Sequence, residues 1–257
     1  MHLSWLYPIT AICVLRTDFN DFGDPIGLAK TLKKEKPSET HNLRFKDRNE
    51  AGQILAQSIA NSLVSEGSAI SVIGIPRGGV VLADIVAERL GAHFDIVIPR
   101  KLGAPGNEEL AIGAVLQDGT AYINEYLVKA LRIPDDYIDG EKKRQASEIN
   151  RRSGLYRNPT IPYTITGRTT VLVDDGIATG ATVMASAGWL RKKGPSKLVI
   201  AVPVAPVQSV SLLETASDSI VVLTTPKEFG SVGQFYDNFG PVTDDEVMTI
   251  MKERKLL

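Results

Sequence analysis

From Asp47 onward the apolar positions follow two alternating rhythms. Ala51, Ile54, Leu55, Ile59 and Leu63 recur at helical spacing, and Asp47 with Glu50 three residues later makes a capping-box-like start. Ala69 to Ile75 (AISVIGI) is instead a continuous apolar run rich in β-branched residues, which predicts a strand buried on both faces. Gly78 and Gly79 then turn the chain into a helix over Val80 to Leu90. A strand over Phe94 to Pro99 follows and leads into a polar loop, Arg100 to Glu109. Short strands are expected at Ile112 to Leu116 and Ala121 to Ile123, and a charged helix over Pro134 to Arg157. The alternation resumes with a strand at Thr169 to Val173, a helix at Ala181 to Lys193 and a strand at Leu198 to Val204. A helix near Gln208 to Ala216 and a strand at Ile220 to Leu223 come next. Thr243 and Glu246 form a second capping box that opens a C-terminal helix.

Strands alternating with helices predict an α/β fold: an open, mostly parallel sheet with helices on both faces and a small hood from the C-terminal segment. In such sheets ligands bind beyond the carboxyl ends of the strands. Three loops leave those ends, Pro76 to Gly79, Arg100 to Glu109 and Asp174 to Thr182, so the topology predicts one shared cleft.

The first stretch behaves differently. His2 to Leu15 is mostly apolar but shorter than the ~20 residues a bilayer span needs, and it lacks the basic start and small-residue cleavage pattern of a signal peptide. Thr17 to Leu43 is polar with little periodicity. Residues 1–43 therefore read as an extension outside the main fold, with partial disorder left open, and 44–257 as the domain. Whether the extension follows the native translation start is a question for N-terminal sequencing.

Composition narrows the function classes. Hydrophobic residues make up 43% and charged residues 23%, as in an ordinary globular protein. The net charge is −1, from 29 basic and 30 acidic residues, so no global field attracts DNA or an anionic membrane. Any anionic ligand needs a local site. A single cysteine, Cys13, excludes an intrachain disulfide and fits a reducing, cytoplasmic setting. Three scattered histidines, His2, His41 and His93, give no zinc motif.

The chemistry concentrates in TTVLVDDGIATGATV, Thr169 to Val183. A buried strand ends in two adjacent carboxylates, Asp174 and Asp175. Gly176, Ala178, Thr179, Gly180, Ala181 and Thr182 follow as a helix begins. Glycines admit close backbone approach, and a helix N-terminus offers free N–H groups with a partial positive charge, so this half suits a phosphate. The carboxylates cannot hold phosphate, because like charges repel. They suit sugar hydroxyls or Mg²⁺ bound through water. A vicinal diol beside a phosphate, as in ribose 5-phosphate, satisfies both halves. Neither GxxxxGK[ST] nor GxGxxG is present, which removes the Walker and dinucleotide-turn readings. A plain capped strand-to-helix turn is the bland alternative.

LVDDGIATGAT resembles the 5-phosphoribosyl-1-pyrophosphate signature of type I phosphoribosyltransferases. The resemblance implies that Asp174 and Asp175 hold the 2- and 3-hydroxyls of the ribose and Ala178 to Thr182 its 5-phosphate. It also implies Mg²⁺ as cofactor and a nitrogenous base as acceptor. The 6-oxopurine members often carry an aspartate where this chain has Ala178, which argues against hypoxanthine or guanine. IPRGG resembles the family's pyrophosphate loop, with Arg77, Gly78 and Gly79 as contacts. RKLGAPGNEE occupies the place of its mobile catalytic loop, making Arg100 and Lys101 candidate pyrophosphate ligands and Lys101 a candidate catalytic residue, against the alternative of a solvated hairpin turn.

The likeness runs from about Leu43 to the C-terminus. Within it, RKLGAPGNEELAIGAV, FKDRNEAGQILA and VGQFYDNFGPVTDDEV resemble one group of phosphoribosyltransferases whose acceptor is not established, in which tryptophan is expected at Phe235.

Phe229, Phe235, Tyr236 and Phe239 admit two readings. Phe235 and Tyr236 could stack on an acceptor base, or the cluster packs the C-terminal segment on the sheet. The basic stretch Lys142, Lys143, Arg144, Arg151, Arg152 and Arg157 reads as a solvated helix face, and homo-oligomerisation stays open. Two rival functions remain: a phosphoribosyl hydrolase, and a non-catalytic regulator that senses phosphoribosyl pyrophosphate.

Overall fold

The computed structural model describes residues 11–14, 43–63 and 69–257. Its main sheet contains β1 (Ala11–Val14), β2 (Ile70–Gly74), β3 (His93–Ile96), β7 (Thr169–Val173), β8 (Lys197–Val204) and β9 (Ser219–Thr224) in the order β1-β9-β8-β7-β2-β3, and every pairing is parallel. A second sheet, β4 (Arg100–Ala104), β5 (Asn107–Val115) and β6 (Ala121–Ile123), is antiparallel.

Helices cover both faces of the main sheet, as the alternation predicts. On one face α1 (Arg48–Leu63) and α2 (Gly78–Leu90) bury Leu55, Ile59, Leu82 and Val86 against Val72, Val171 and Val199, joined by Val247 and Met251 of α7 (Asp244–Glu253). On the other, α5 (Ala181–Lys192) and α6 (Val207–Leu213) bury Val183, Trp189, Leu190 and Leu213 against Ile73, Leu172 and Ile200. Adjacent strand residues point to opposite faces, which is why Val171 and Leu172 belong to different cores. The box at α7 forms, with Thr243 and Glu246 exchanging bonds, whereas at α1 only half of it does: the Glu50 N–H donates to Asp47 at 3.0 Å, but the Glu50 carboxylate accepts the Lys46 N–H instead of the Asp47 N–H.

The expected polar loop Arg100 to Glu109 is a correction. It is β4, a turn at Pro105 and Gly106, and the beginning of β5. Leu102 and Ala104 face a third core with Ile112, Ile138 and Ile149, while the exposed side carries Lys101, Asn107, Glu108 and Glu109. Polar residues on the open side of an edge hairpin hide the apolar alternation. α3 (Glu125–Ala130), capped by the Asn124 side chain on the Leu127 N–H at 3.1 Å, also escaped the reading. So did a 3₁₀ turn at Val232–Phe235. α4 (Asp135–Tyr156) packs on the hairpin, with the Tyr137 hydroxyl donating to the Gly103 carbonyl at 3.1 Å.

Ala11–Val14, from the stretch set apart in the sequence, pairs with β9 at the sheet edge. The remaining expectations about residues 1–42, and the surroundings of Cys13, lie outside the described residues. No helix among the described residues is long and apolar enough to cross a membrane.

Arg157 departs from the solvated-face reading. Its guanidinium makes a bidentate pair with Asp95, at 2.7 and 2.9 Å, with side-chain exposures of 7% and 0%, and it lies over the Tyr163 ring. Removing one partner of such a pair strands a buried charge. Asp95→Ala is therefore expected to cost about 3–5 kcal/mol of unfolding free energy in urea titration. A loss under about 1 kcal/mol would show that water reaches the guanidinium.

Candidate active site

Adjacent parallel strands that end in register bring two loops together at the carboxyl edge of the sheet. β2 runs beside β7, and the Ile75 N–H bonds the Val173 carbonyl at 3.0 Å, so both chains leave the sheet at the same level. The Pro76–Arg77 peptide is cis. Gly78 and Gly79, opening α2, lie directly against the acid pair. A Cβ on Gly78 would come within 1.8 Å of Asp175 Oδ2, and one on Gly79 within 2.8 Å of the Asp174 Cα. Only glycine permits this approach. The expected pyrophosphate loop and the acid loop thus form one site.

Asp174 and Asp175 are half-buried, with the Asp175 side chain 16% exposed. Asp174 Oδ1 accepts the Asp175 N–H at 2.9 Å, and Asp175 Oδ2 accepts Arg48 Nε–H at 2.8 Å. Apart from contact between the carboxyls themselves, each residue keeps one oxygen with no donor among the described residues. Burial holds the Asp174 carboxyl well above the usual carboxylate range, and the neighbouring Asp175 pushes it further; the charge of Lys101 opposes both. Asp175 is also raised by burial, with Arg48 pulling the other way. Both shifts favour the protonated form relative to a free carboxyl, and a cation or hydroxyl donors between the two acids would oppose that.

Behind the acids the chain is pinned but its amides are not. The Ile177 N–H bonds the Val204 carbonyl at 2.9 Å, and the Ser209 hydroxyl donates to the Ala178 carbonyl. Gly180, at φ 79°, turns the loop into α5 without any side-chain cap. No acceptor among the described residues takes the N–H of Ala178, Thr179, Gly180, Ala181, Thr182 or Val183. Ala178 and Thr179 are exposed and Thr182 half-buried. A row of unsatisfied N–H groups at the start of a helix is an anion cradle. Gly176 continues the loop between acids and cradle.

Not every predicted contact converges. Neighbouring residues of β4 diverge: Lys101 is exposed and its charge reaches Asp174, whereas Arg100 donates to Gln145 Oε1 on α4 at 2.9 Å. Arg100 lies among Arg152, Arg144 and Arg151; burial first, and these like charges next, hold it below its ordinary value, with Glu148 opposing. The Arg77 guanidinium rests 3.6 Å from Asp244. Phe235 and Tyr236 are buried at 5% and 2% exposure, which is the packing reading of the aromatic cluster rather than an open stacking surface. The Tyr236 hydroxyl donates to the Asp175 carbonyl at 2.6 Å. Sequence reasoning missed Arg48. Its only signal was an arginine inside the first capping box, one residue past Asp47.

A model of the phosphoribosyl transferase domain matches residues 44–225. This chain belongs to the phosphoribosyl transferase family. A Mycobacterium tuberculosis protein, provisionally named a phosphoribosyl transferase, is 41% identical over 207 residues, covering 80% of this chain and 46% of its own. The chain thus spans about half the length of the curated relatives it matches. A crystal structure from Thermus thermophilus is 43% identical with a TM-score of 0.67, covering 82% of this chain and 98% of that one. A transcriptional regulator of Archaeoglobus fulgidus is 33% identical over 100 residues, 38% of this chain and 49% of its own. In this phosphoribosyl transferase domain the matched region contains both loops of the cleft and the hairpin.

The raised carboxyl of Asp174 carries a stability prediction. A group whose folded pKa lies above its unfolded value binds its proton more tightly in the fold, so stability falls as pH rises from about 3.9 toward the folded value. Asp174→Asn keeps the acceptor for the Asp175 N–H and removes that loss. Its unfolding temperature at neutral pH should exceed wild type by about 2–4 °C, with the gap closing in acid. An equal or lower value at every pH would show that the pair is solvated.

Proposed function

We propose that this domain binds 5-phosphoribosyl-1-pyrophosphate across the acid loop and transfers its phosphoribosyl group to a ring nitrogen of a base, releasing pyrophosphate. One observation carries the reading: an uncapped row of amides at 178–183 closely follows two carboxyls that take few donors from the chain, chiefly the Asp175 N–H on one and Arg48 on the other. A ribose 5-phosphate needs that juxtaposition, with acceptors for two hydroxyls beside donors for a dianion. A turn built only to join a strand to a helix would have capped its amides.

In the reaction the bond from C1 to the pyrophosphate oxygen breaks as a bond from the acceptor nitrogen to C1 forms. Positive charge grows on the ring and negative charge on the leaving group. Asp174 and Asp175 accept the 2- and 3-hydroxyls and face the developing positive charge. The amides from Ala178 to Thr182 fix the 5-phosphate, with the Thr179 and Thr182 hydroxyls available beside them. Gly78 and Gly79 present their N–H groups to pyrophosphate at the start of α2, and Lys101 brings a cation from the hairpin. Arg77 and Arg100, engaged with Asp244 and Gln145, stand outside this set in the described arrangement.

Mg²⁺ fits the donor set. No cluster of three or more metal-ligating side chains occurs among the described residues, so the acid pair would hold the ion together with ligand and water oxygens, as Mg²⁺ prefers. It would supply charge neutralisation at the pyrophosphate. The acceptor is a nitrogenous base, and Ala178 at the aspartate position disfavours the 6-oxopurines.

Likeness to the archaeal regulator keeps one alternative in view, a sensor that binds the same ligand without turnover. Incubating the protein with phosphoribosyl pyrophosphate and Mg²⁺, with and without a panel of bases, read by mass spectrometry, separates transfer, hydrolysis and sensing. A nucleotide product supports transfer, ribose 5-phosphate formed without a base identifies a hydrolase, and binding with no product identifies a sensor.

Replacing both acids, Asp174→Asn with Asp175→Asn, is expected to abolish calorimetric binding of the ligand while the fold persists. Unchanged affinity refutes the roles given to them. Lys101→Ala should lower turnover by about 100-fold or more, while an exposed lysine costs less than about 0.5 kcal/mol of stability. Normal turnover removes the hairpin from the catalytic machinery.

A further inference from the structure

We infer that Arg48 is a positioning residue for the sugar-binding acid Asp175, through which the C-terminal segment takes part in ligand capture. This rests on the acid pair being the ribose grip. Three contacts carry it, all made by one guanidinium that is 12% exposed. Its Nε–H donates to Asp175 Oδ2 at 2.8 Å, and its Nη1–H donates to the Gly240 carbonyl at 2.7 Å. Its plane lies over the Phe239 ring, 3.9 Å from the centroid.

The support on either side of this residue comes from both ends of the domain. Residues 45–46 and 235–238 run as a short ladder: the Phe45 N–H bonds the Phe235 carbonyl at 2.8 Å, the Asp237 N–H bonds the Phe45 carbonyl at 2.8 Å, and the Asn238 N–H bonds the Lys46 carbonyl at 2.9 Å. Arg48 leaves one side of this ladder and Phe239 and Gly240 leave the other. Tyr236, between them, donates its hydroxyl to the Asp175 carbonyl. Asp175 is therefore held twice, by its backbone from Tyr236 and by its side chain from Arg48, and both holders are anchored in the same ladder.

The grip has a direction. Arg48 occupies Oδ2, the oxygen that lies against Gly78, and leaves Oδ1 clear of the guanidinium. It thereby fixes which oxygen of Asp175 meets the sugar. Its charge also offsets part of the cost of placing two carboxylates side by side away from water. A lysine at this place keeps the positive charge and a donor for the carboxylate but gives up the bond to Gly240 and the stack on Phe239, which separates the contact with the acid from the packing.

The test compares wild type, Arg48→Met and Arg48→Lys by calorimetric titration with phosphoribosyl pyrophosphate and Mg²⁺, beside thermal melts of each. The Met variant loses a charge-assisted hydrogen bond to the binding acid and should bind roughly tenfold to a hundredfold more weakly. The Lys variant keeps the charge and should recover most of that loss, to within about threefold of wild type. A purely structural role for Arg48, packing on Phe239 and Gly240, would weaken Met and Lys alike. Equal losses, or no loss in either, overturn the inference while leaving the ribose-phosphate reading intact. If the Met variant fails to fold, the Lys variant decides: it binds within about threefold of wild type, or the inference is wrong. Absence of binding by wild type itself overturns the functional reading and this inference with it.

Discussion

Two carboxylates placed side by side at the end of a buried strand are an electrostatic liability, and the rest of the site is organised around it. Burial drives both carboxyls above their ordinary range, and the neighbouring Asp175 pushes Asp174 further. The fold offsets this only in part, with Arg48 on one oxygen and the Lys101 charge nearby. Perturbed carboxyls of this kind cluster at functional sites, which is the ground for the binding role proposed for the pair. The uncapped amides that follow support the same role. In the proposed function, the acceptor-rich rim and the donor-rich floor complement one ligand that brings hydroxyls to the first and phosphate to the second.

The surrounding architecture explains how such a site is held without being filled. β7 lies between β2 and β8, so the acid loop starts from a central strand rather than from a sheet edge. Its later residues are pinned at Ile177 and Ala178 by β8 and α6, which leaves the next amides free. From the other side, the ladder of residues 45–46 with 235–238 brings Tyr236 and Arg48 onto Asp175. The hairpin and α4 have a core of their own, including Leu102, Ile112 and Ile149, and carry Lys101 on a braced strand rather than on a loose loop.

What was legible in the sequence follows from how local each signal is. The parallel strands announced themselves because burial on both faces leaves an unbroken apolar run, as in Val171 to Val173. The acid loop was legible because its whole chemistry lies in consecutive residues. The hairpin was not: Arg100, Lys101, Asn107, Glu108 and Glu109 mask the alternation of Leu102 and Ala104, which is the only trace of its buried side. Arg48 meets Asp175 across 127 positions of sequence, so nothing near it marks its role. Arg77, Arg100 and Arg157 show the converse. Their residue type suits phosphate, but only tertiary contacts with Asp244, Gln145 and Asp95 decide where each guanidinium points.

The claim that the acid pair is the ligand's seat is tested most directly by counting protons. Calorimetric titrations with phosphoribosyl pyrophosphate and Mg²⁺, repeated in buffers of different ionisation enthalpy between about pH 5 and 8, report the protons exchanged on binding. Burial favours the protonated form of the empty pair, and hydroxyls and a cation favour the ionised form of the filled one, so the heat should vary with the buffer in the sense of proton release. Binding with no proton exchange at any pH in that range would place the ligand away from Asp174 and Asp175.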